Sequence, residues 1–282
     1  LTAPCALIAL IACDGESSGR AAPVPVDPLG LQLDVGPGRT VAEFDRVSMT
    51  ATFSLDRGMA VSDGWRQVSG VAVELGESES NVVSFEAPQV ESDEALVFEY
   101  EVSDDQGRTA RAETVVLVMA ARLVPDEFDS IQEAIDASGN GELVLVRPGM
   151  YAASRLSLVD RTVRLGSMFV LEQDPTYIAS TILDGGERSV LIIGEGADGS
   201  RIEGFTFLNA NDGIRLSSRV DIHNNVFTST TDGIDYEDGS GGTCTGNEFR
   251  ANRDGGVDLN FAVDVVIQGN VFLNNEDDGI EI

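Results

Sequence analysis

The last third of the chain repeats one short pattern. Its glycines, Gly213, Gly233, Gly256 and Gly279, are 20, 23 and 23 residues apart. A second pattern runs between them, and its aromatic residues, Phe207, Phe227, Phe249 and Phe272, are 20, 22 and 23 apart. A fixed period of this length, rich in β-branched residues, Asn and Gly and without helical periodicity, is typical of a solenoid whose units stack on one another.

Stacking turns equivalent residues into columns, because successive coils lie about 4.8 Å apart. The four Phe residues are predicted to form one internal column. A second internal column is predicted for Ile214, Ile234, Val257 and Ile280. We expect Asn225, Asn247 and Asn270 to occupy the tight turn before each Phe, where Asn tolerates left-handed backbone and its amides bond along the stack.

The residue after each inward aliphatic residue must point outward. These residues are Arg215, Asp235, Asp258 and Glu281, and they are the candidate catalytic residues. Three stacked carboxylates repel one another, and the repulsion is relieved by a divalent cation, by a raised pKa or by solvent.

Other charged residues lie just before the same strands. Asp232, Asp254 and Arg253 are candidate substrate-binding residues, and Asp277 with Asp278 is a candidate calcium site. The competing interpretation is that Asp-Gly is turn chemistry and the outward acids are a solvated face. His223, the only His, has no second His or Cys on its face and is predicted to be a surface residue.

The excess of acidic residues limits the kinds of binding partner that the protein can have. The chain of 282 residues has 48 acidic and 18 basic residues, all of the latter Arg, and a net charge of -30. Such a surface repels nucleic acid and anionic membranes, and it favours cations, basic partners or a salty medium. Calcium binding and solubility in a high-salt habitat both explain it.

The first 28 residues resemble an export signal and a tether. Residues 1–13 contain a short apolar run and end in Leu10-Ile11-Ala12-Cys13, which resembles a bacterial lipobox with Cys13 as the lipidated residue. No basic residue precedes the run, so we expect the true start to lie upstream. Residues 14–28 are predicted to be a flexible linker, and the protein is expected in the cell envelope or outside the cell, touching the membrane only through this anchor.

Residues 29–120 alternate in short runs separated by turn residues, which predicts an antiparallel β-sandwich. Predicted strands include 47–53, 71–75, 96–102 and 114–118, and Trp65 is expected between the sheets. The runs Trp65-Arg66-Gln67-Val68-Ser69-Gly70 and Phe98-Glu99-Tyr100-Glu101-Val102 resemble PKD-like, immunoglobulin-like modules of bacterial surface proteins, which implies a spacer or adhesive role.

Residues 122–282 begin with a short helical pattern, in which Ser130 and Glu133 form a capping box. The runs Ser130-Ile131-Gln132-Glu133-Ala134-Ile135 and Leu143-Val144-Leu145-Val146-Arg147-Pro148-Gly149-Met150-Tyr151 resemble the start of right-handed parallel β-helices of the pectate-lyase-like superfamily. The resemblance implies an all-β chain in which an immunoglobulin-like sandwich precedes a β-helix with an amino-terminal capping helix. We expect the coils to continue beyond Ile282.

The superfamily includes enzymes and non-catalytic proteins, so it does not decide the activity. In similar enzymes the outer face of the strands after the acidic loop carries catalysis, and this is the face of the outward column. The leading hypothesis is a monomeric surface protein that binds a polysaccharide or cell-surface glycan in an acidic, calcium-compatible groove. The alternatives are a lyase or glycoside hydrolase acting on a uronate-rich polymer, and a non-catalytic adhesin.

Overall fold

A computed structural model describes residues 30–79 and 81–282. The predicted signal segment with Cys13 and the predicted linker at 14–28 lie outside the described residues. Within the described part, no helix has the length and apolar character needed to span a bilayer.

The first part of the described chain is built from nine strands. They are β1 Leu31–Asp34, β2 Arg39–Ala42, β3 Arg46–Thr50, β4 Thr52–Leu55, β5 Ala60–Ser69, β6 Gly76–Glu79, β7 Val82–Glu86, β8 Glu94–Asp104 and β9 Thr109–Met119. Their sheets have the orders β2-β9-β8-β5, β3-β7-β6 and β1-β4. All pairs are antiparallel except β2 with β9.

Trp65 packs between two apolar clusters of this part. One cluster contains Phe85 and Phe98, the other Tyr100 and Val102, and the half-buried indole contacts both. Its ring lies 5.3 Å from that of Tyr100, edge to face, and its Nε1 donates to the Asn81 carbonyl at 3.1 Å. The indole thus lies between two apolar clusters, with its polar edge satisfied as aromatic N–H groups require.

The predicted strand at 71–75 is wrong. The chain turns at Gly70, whose φ is +93°, and the Gln67 side chain then takes both backbone partners: its Nε2 donates to the Val71 carbonyl and its Oε1 accepts from the Val73 amide. A side-chain amide thus replaces the ladder, and the strand starts only at Gly76.

The rest of the chain is a parallel β-solenoid of three sheets. The first sheet contains β10 Arg122–Val124, β11 Leu143–Val146, β14 Arg164–Ser167, β17 Ser200–Glu203, β20 Arg219–His223, β23 Gly241–Thr245 and β26 Val265–Gln268. The second contains β12 Gly149–Ala152, β15 Thr181–Asp184, β18 Thr206–Leu208, β21 Val226–Thr228, β24 Glu248–Arg250 and β27 Val271–Leu273. The third contains β13 Leu156–Leu158, β16 Leu191–Ile193, β19 Asp212–Leu216, β22 Asp232–Tyr236, β25 Val257–Leu259 and β28 Ile280–Glu281.

Three short helices accompany the solenoid. Helix α1 (Ile131–Ala137) begins as predicted at Ser130, whose hydroxyl accepts from the Glu133 amide at 3.2 Å, and its buried face joins the solenoid core. Helices α2 (Phe169–Glu172) and α3 (Thr176–Ser180) lie between β14 and β15. The sequence pattern did not indicate them because each is too short to show a helical period.

The predicted Phe column is confirmed. Successive ring centroids of Phe207, Phe227, Phe249 and Phe272 are 4.7, 4.9 and 5.0 Å apart, and the rings are nearly parallel. The aliphatic column is also in register, since Ile214 pairs with Ile234, Ile234 with Val257 and Val257 with Ile280. The spacing of the repeat therefore reports the stacking of the coils directly.

The predicted Asn ladder is confirmed as well. The Asn247 side-chain oxygen accepts from the Asn225 amide at 2.9 Å, and that of Asn270 accepts from the Asn247 amide at 2.8 Å. The left-handed position, however, is one residue earlier than expected: Asn224, with φ of 54°, precedes Asn225, and Gly246 precedes Asn247. The ladder Asn residues are thus needed for their amides, while the residue before each supplies the turn.

A second ladder runs at another corner, and the sequence analysis did not identify it. The Asn252 side-chain oxygen accepts from the Thr230 amide, and that of Asn275 accepts from the Asn252 amide, both at 3.2 Å. These groups are buried or half-buried, so each bond satisfies an amide that water cannot reach.

The glycines of the repeat serve packing between coils. The backbone of Gly213, Gly233 and Gly256 does not have a positive φ. These positions therefore do not need glycine for a left-handed turn. A Cβ on Gly213 would lie 2.5 Å from the Phe227 ring and 2.6 Å from the Gly233 carbonyl oxygen. The expectation that Asp-Gly is turn chemistry is therefore wrong for these glycines, since each leaves room for the Phe of the following coil.

The antiparallel strands and the solenoid share a polar and apolar junction. The Arg147 guanidinium, in the turn after β11, contacts Asp45 at 2.7 Å and Asp126 at 2.5 Å, and donates to the Glu43 carbonyl at 3.3 Å. Beside it, Ala42 packs in one buried cluster with Leu123, Leu143, Leu145 and Met168. Both kinds of contact fix the first coil against β2.

Replacing Phe227 by Ala tests the internal column. We expect the free energy of unfolding to fall by about 3–5 kcal/mol, because a fully buried ring is lost from a stack that cannot collapse around the gap. Urea denaturation followed by circular dichroism measures the change. Phe261→Ala is the matched control, since that ring is 83% exposed and its loss should change stability by less than about 0.5 kcal/mol. Equal effects of the two substitutions would contradict the stacking argument.

Candidate functional site

The four candidate catalytic residues stand on one face of the third sheet. Arg215 is paired in register with Asp235, Asp235 with Asp258 and Asp258 with Glu281. Their strand neighbours Ile214, Ile234 and Val257 are fully buried, so strand alternation directs the four side chains outward. The structure thus brings the predicted outward residues together on successive coils. We call Arg215, Asp235, Asp258 and Glu281 the acidic column.

Two further side chains belong to this column. The Arg215 guanidinium pairs with Glu237 and lies 3.6 Å from Asp235. Asn260 Nδ2 donates to Asp258 at 2.7 Å and to Asp235 at 3.4 Å. Glu237 and Asn260 each lie two residues after a column member, so the same period of two could have identified them from the sequence.

The carboxyl groups of the column respond to burial and to one another. The pKa of Asp235 is raised mainly by burial, against which the Asn260 hydrogen bond acts. The pKa of Glu281 is raised mainly by the nearby Asp258 charge, although Glu281 is exposed. The predicted repulsion between stacked carboxylates therefore reaches the outermost member, and protons relieve part of it.

Asp232 is the most perturbed acid of this region. It lies in register with Asp212 at the start of the third-sheet strands, and its Oδ1 accepts from the Gly255 amide at 3.1 Å. The pKa of Asp232 is raised to about 6: burial is the main cause, the charges of Asp254 and Asp212 add to it, and the Gly255 hydrogen bond acts against it. Asp232 therefore keeps its proton at a pH where ordinary carboxyl groups are ionised.

Asp212 is the first residue of the strand that carries Arg215. Its side chain is almost fully buried, and its two oxygens accept from the Ser189 hydroxyl at 2.7 Å and from Asn211 Nδ2 at 2.8 Å. These bonds satisfy a carboxyl group that lies out of solvent, as burial requires. Asp212 thus holds the polar end of the acidic region in place.

The Arg253 side chain contacts residues of earlier coils. Its Nη1 lies 3.2 Å from the Glu187 carboxylate and its Nη2 donates to the Ala210 carbonyl at 2.8 Å. Since 43% of the side chain remains exposed, it is positioned at the surface but already engaged. A ligand would have to compete with Glu187 for this guanidinium.

The predicted calcium residues Asp277 and Asp278 lie just before β28. Their backbone groups continue the coil, with the Asp277 amide bonded to the Asp254 carbonyl at 3.1 Å and the Asp278 carbonyl to the Gly256 amide at 3.1 Å. Across residues 30–79 and 81–282, no three His, Cys, Asp or Glu side chains are grouped as in a metal centre. Calcium binding stays a prediction for a binding experiment.

His223 lies on the first sheet, away from the acidic column. It is half-buried, its Nδ1 contacts the Thr245 hydroxyl, and its Nε2 lies 3.3 Å from that of Thr243. Burial lowers the pKa of His223, with Arg201 contributing. Instead of a free surface residue, His223 is a half-buried residue in contact with two threonines.

The column has spacings that suit carbohydrate chemistry. Strands of neighbouring coils lie about 4.8 Å apart, while the two catalytic carboxyl groups are about 5 Å apart in glycosidases that retain configuration and roughly 6.5 to 9.5 Å apart in those that invert it. Adjacent members approximate the first spacing and alternate members approach the second. The arrangement offers hydrogen-bond acceptors and donors at a repeat set by the coils.

Residues 174–282 match the family model described as "Right handed beta helix region". This solenoid is a right-handed parallel β-helix. The matched residues include every member of the acidic column. No curated protein matches the chain.

Three solved structures show weak likeness. The PKD domain from KIAA 1837 protein is 23% identical over 37% of this chain and 93% of its own, with a TM-score of 0.26. A 2,6-sialyltransferase of Photobacterium sp. JT-ISH-224 is 11% identical over 64% of this chain and 41% of its own, at 0.27. A family 28 exopolygalacturonase of Yersinia enterocolitica is 11% identical over 87% and 75%, at 0.24. TM-scores this low carry no argument about fold or activity.

Asp232→Asn tests the raised pKa of this half-buried acid. A folded-state pKa of about 6, against an ordinary value of 3.8, means that the stability due to protonated Asp232 is complete below pH 4 and is lost as the pH rises through 6. The stability of the variant relative to the natural protein should therefore increase between pH 4 and 6, by at most about 3 kcal/mol, and level off above pH 7.

Denaturation at a series of pH values measures this difference. The control is Asp264→Asn, because the Asp264 side chain is 78% exposed and its replacement should leave the shape of the curve unchanged. Parallel curves for Asp232→Asn and the natural protein would rule out the perturbed pKa.

Proposed function

We propose that the outer face of the third sheet of the β-helix binds an extended polysaccharide. The observation that carries this proposal is the in-register column of Arg215, Asp235, Asp258 and Glu281, extended by Glu237 and Asn260. Folding of the coils requires the inward residues and the Asn ladders. It does not require charged residues at the outward position of Asp235, Asp258 and Glu281.

The chemistry of the face suits sugar hydroxyl groups. Carboxylate oxygens accept hydrogen bonds from hydroxyls, while Asn260 and Arg215 add donors between them. Each coil advances about 4.8 Å, so a polymer lying along the helix axis meets a similar set of groups at every coil. A surface with this repetition favours a repeating ligand over a single small molecule.

Calcium belongs to the proposal when the polymer is acidic. A net charge of -30 repels a uronate-rich chain, and a divalent cation shared between protein and polymer carboxylates removes that repulsion. Asp277 and Asp278, next to Glu281 in the last coil, are the residues proposed to contact it.

The surroundings of the groove extend the proposal to the whole chain. We infer that the strands of residues 29–120 form a PKD-like, immunoglobulin-like spacer, that α1 caps the β-helix of residues 122–282, and that a monomeric protein is held at the cell envelope through lipid on Cys13. The resemblances in sequence support these points. The position of α1 against the core of the first coils supports the capping role.

Hydrolysis is the second candidate function, and Asp232 is the reason. Glycoside hydrolysis pairs a protonated acid with an ionised carboxylate, and the pKa of Asp232, about 6, is raised by burial and in part by the nearby charges of Asp254, Asp212 and Asp258. Arg215 fits less well as the base of a lyase. Although burial opposes its charge, the hydrogen bond with Glu237 raises the pKa of Arg215, which holds the guanidinium protonated.

Polysaccharide binding is tested with polygalacturonate by isothermal titration calorimetry, with and without millimolar calcium. We expect binding only with calcium, and we expect Asp235→Asn combined with Asp258→Asn to weaken it at least about tenfold, since two of the stacked acceptors become neutral. Asp264→Asn, an exposed acid outside the column, should bind as the natural protein does. An unchanged affinity of the double variant would sink the groove as the binding site.

Hydrolysis is tested by release of reducing ends from the same polymer across pH 4 to 8. Activity should fall above about pH 6, where Asp232 loses its proton, and Asp232→Asn should lower it at least about a hundredfold while Asp264→Asn leaves it intact. Unsaturated products absorbing in the ultraviolet would identify a lyase instead. Binding without any product would identify the non-catalytic adhesin.

A further inference from the structure

A cavity of about 550 Å³ lies at the junction of the antiparallel strands and the β-helix. Its walls come from β2 and β3, from the turn after β11, and from α2 and α3. The lining residues that matter for binding are Arg39, Asp45, Arg46, Arg147, Glu172 and Tyr177. The volume lies within the range of small-molecule pockets, roughly 300–1,000 Å³, and the cavity is separate from the acidic column.

The cavity gathers positive charge in a strongly acidic protein. Three of the 18 basic residues line it, with only Asp45 and Glu172 as acids. Asp45 is already neutralised, because its carboxylate contacts Arg147 at 2.7 Å and accepts from the Ala42 amide at 2.9 Å. Arg147 is in turn occupied by Asp45 and Asp126. The Arg147–Asp45 pair therefore forms part of the cavity wall. The guanidinium groups of Arg39 and Arg46 remain for a ligand.

Arg46 and Arg39 carry donors without protein partners. No hydrogen bond or ion pair joins the Arg46 side chain to any residue of the described ranges, although Glu86 is its cross-strand neighbour. Arg39 uses only Nη2, which donates to the Ser48 carbonyl at 2.6 Å. Guanidinium groups in this condition match a carboxylate, which accepts two parallel hydrogen bonds from one Arg.

The opposite side of the lining offers an acceptor and apolar surface. The Tyr177 hydroxyl donates to Glu172 Oε1 at 2.9 Å, so the second oxygen of Glu172 is available to accept from a ligand hydroxyl. Pro148, Met168 and Val41 complete the lining with apolar groups. An inorganic anion would use the Arg side alone, whereas a molecule with a carboxylate, hydroxyls and an apolar ring face would use every side.

We propose that this junction cavity binds a single sugar acid, with its carboxylate on Arg46 and Arg39 and a hydroxyl on Glu172. The ligand is then monomer-sized and anionic, in contrast to the polymer proposed for the acidic column. The proposal does not depend on the column, since none of the column residues lines the cavity.

Titration calorimetry of the full chain with D-galacturonate tests the proposal, with galactose and sulfate as comparison ligands. We expect saturable galacturonate binding and at least about tenfold weaker binding of galactose and of sulfate. Arg46→Gln should lower galacturonate affinity about 10- to 100-fold, the effect of losing hydrogen bonds from a charged donor. The side chain has no partner to lose, so folding is preserved and an unchanged melting curve verifies it.

Arg57→Gln is the matched control, because that Arg is 79% exposed and lies outside the cavity; it should bind as the natural protein does. Undetectable galacturonate binding at millimolar concentration would overturn the proposal, as would equal affinity in Arg46→Gln, or equal binding of galactose or sulfate. Loss of monomer binding in Asp235→Asn combined with Asp258→Asn, with Arg46→Gln unaffected, would move the ligand to the column and also overturn it.

Discussion

The register between successive coils is the constraint on which the rest of this structure depends. Parallel pairing alone permits a coil to slide by two residues and keep its faces, so something else must choose one register. The Phe stack and the two amide ladders do so, because the rings stack on the rings of adjacent coils and the Asn side-chain oxygens accept from backbone amides one coil away. A slip would break buried hydrogen bonds and unstack the rings together. The outer column inherits its alignment from these inner contacts.

Alignment has an electrostatic consequence at the surface. Once the inner residues are in register, Asp235 and Asp258 must be adjacent although their like charges repel. Asn260 donates to both carboxyl groups and Arg215 lies at one end of the column, while the charge of Asp258 raises the pKa of Glu281. Such tension between fold and charge is common where a surface is organised for binding, and less so on a solvated face.

Much of this could be predicted from the sequence, and the omissions have physical reasons. The columns followed from a period and from strand alternation, both of which are local. The strand predicted at 71–75 failed because the Gln67 side chain outcompetes the ladder, which a pattern of apolar residues does not encode. The junction was invisible because Arg147 and Asp45 are 102 residues apart. Asp232 was predicted as a substrate-binding residue and its raised pKa was not foreseen, since that pKa depends on burial by neighbouring coils.

Gly213 and Gly233 leave space for the Phe ring of the following coil, so each coil packs on its neighbour in the same way. A coil that brings its own glycine and its own Phe can be inserted or removed as one piece of about twenty residues without repacking those beside it. Because the outward residue takes no part in that fit, each inserted coil is free to carry a different charge. The length and the charge pattern of the outer face can thus diverge between descendants of one gene while the interior stays the same.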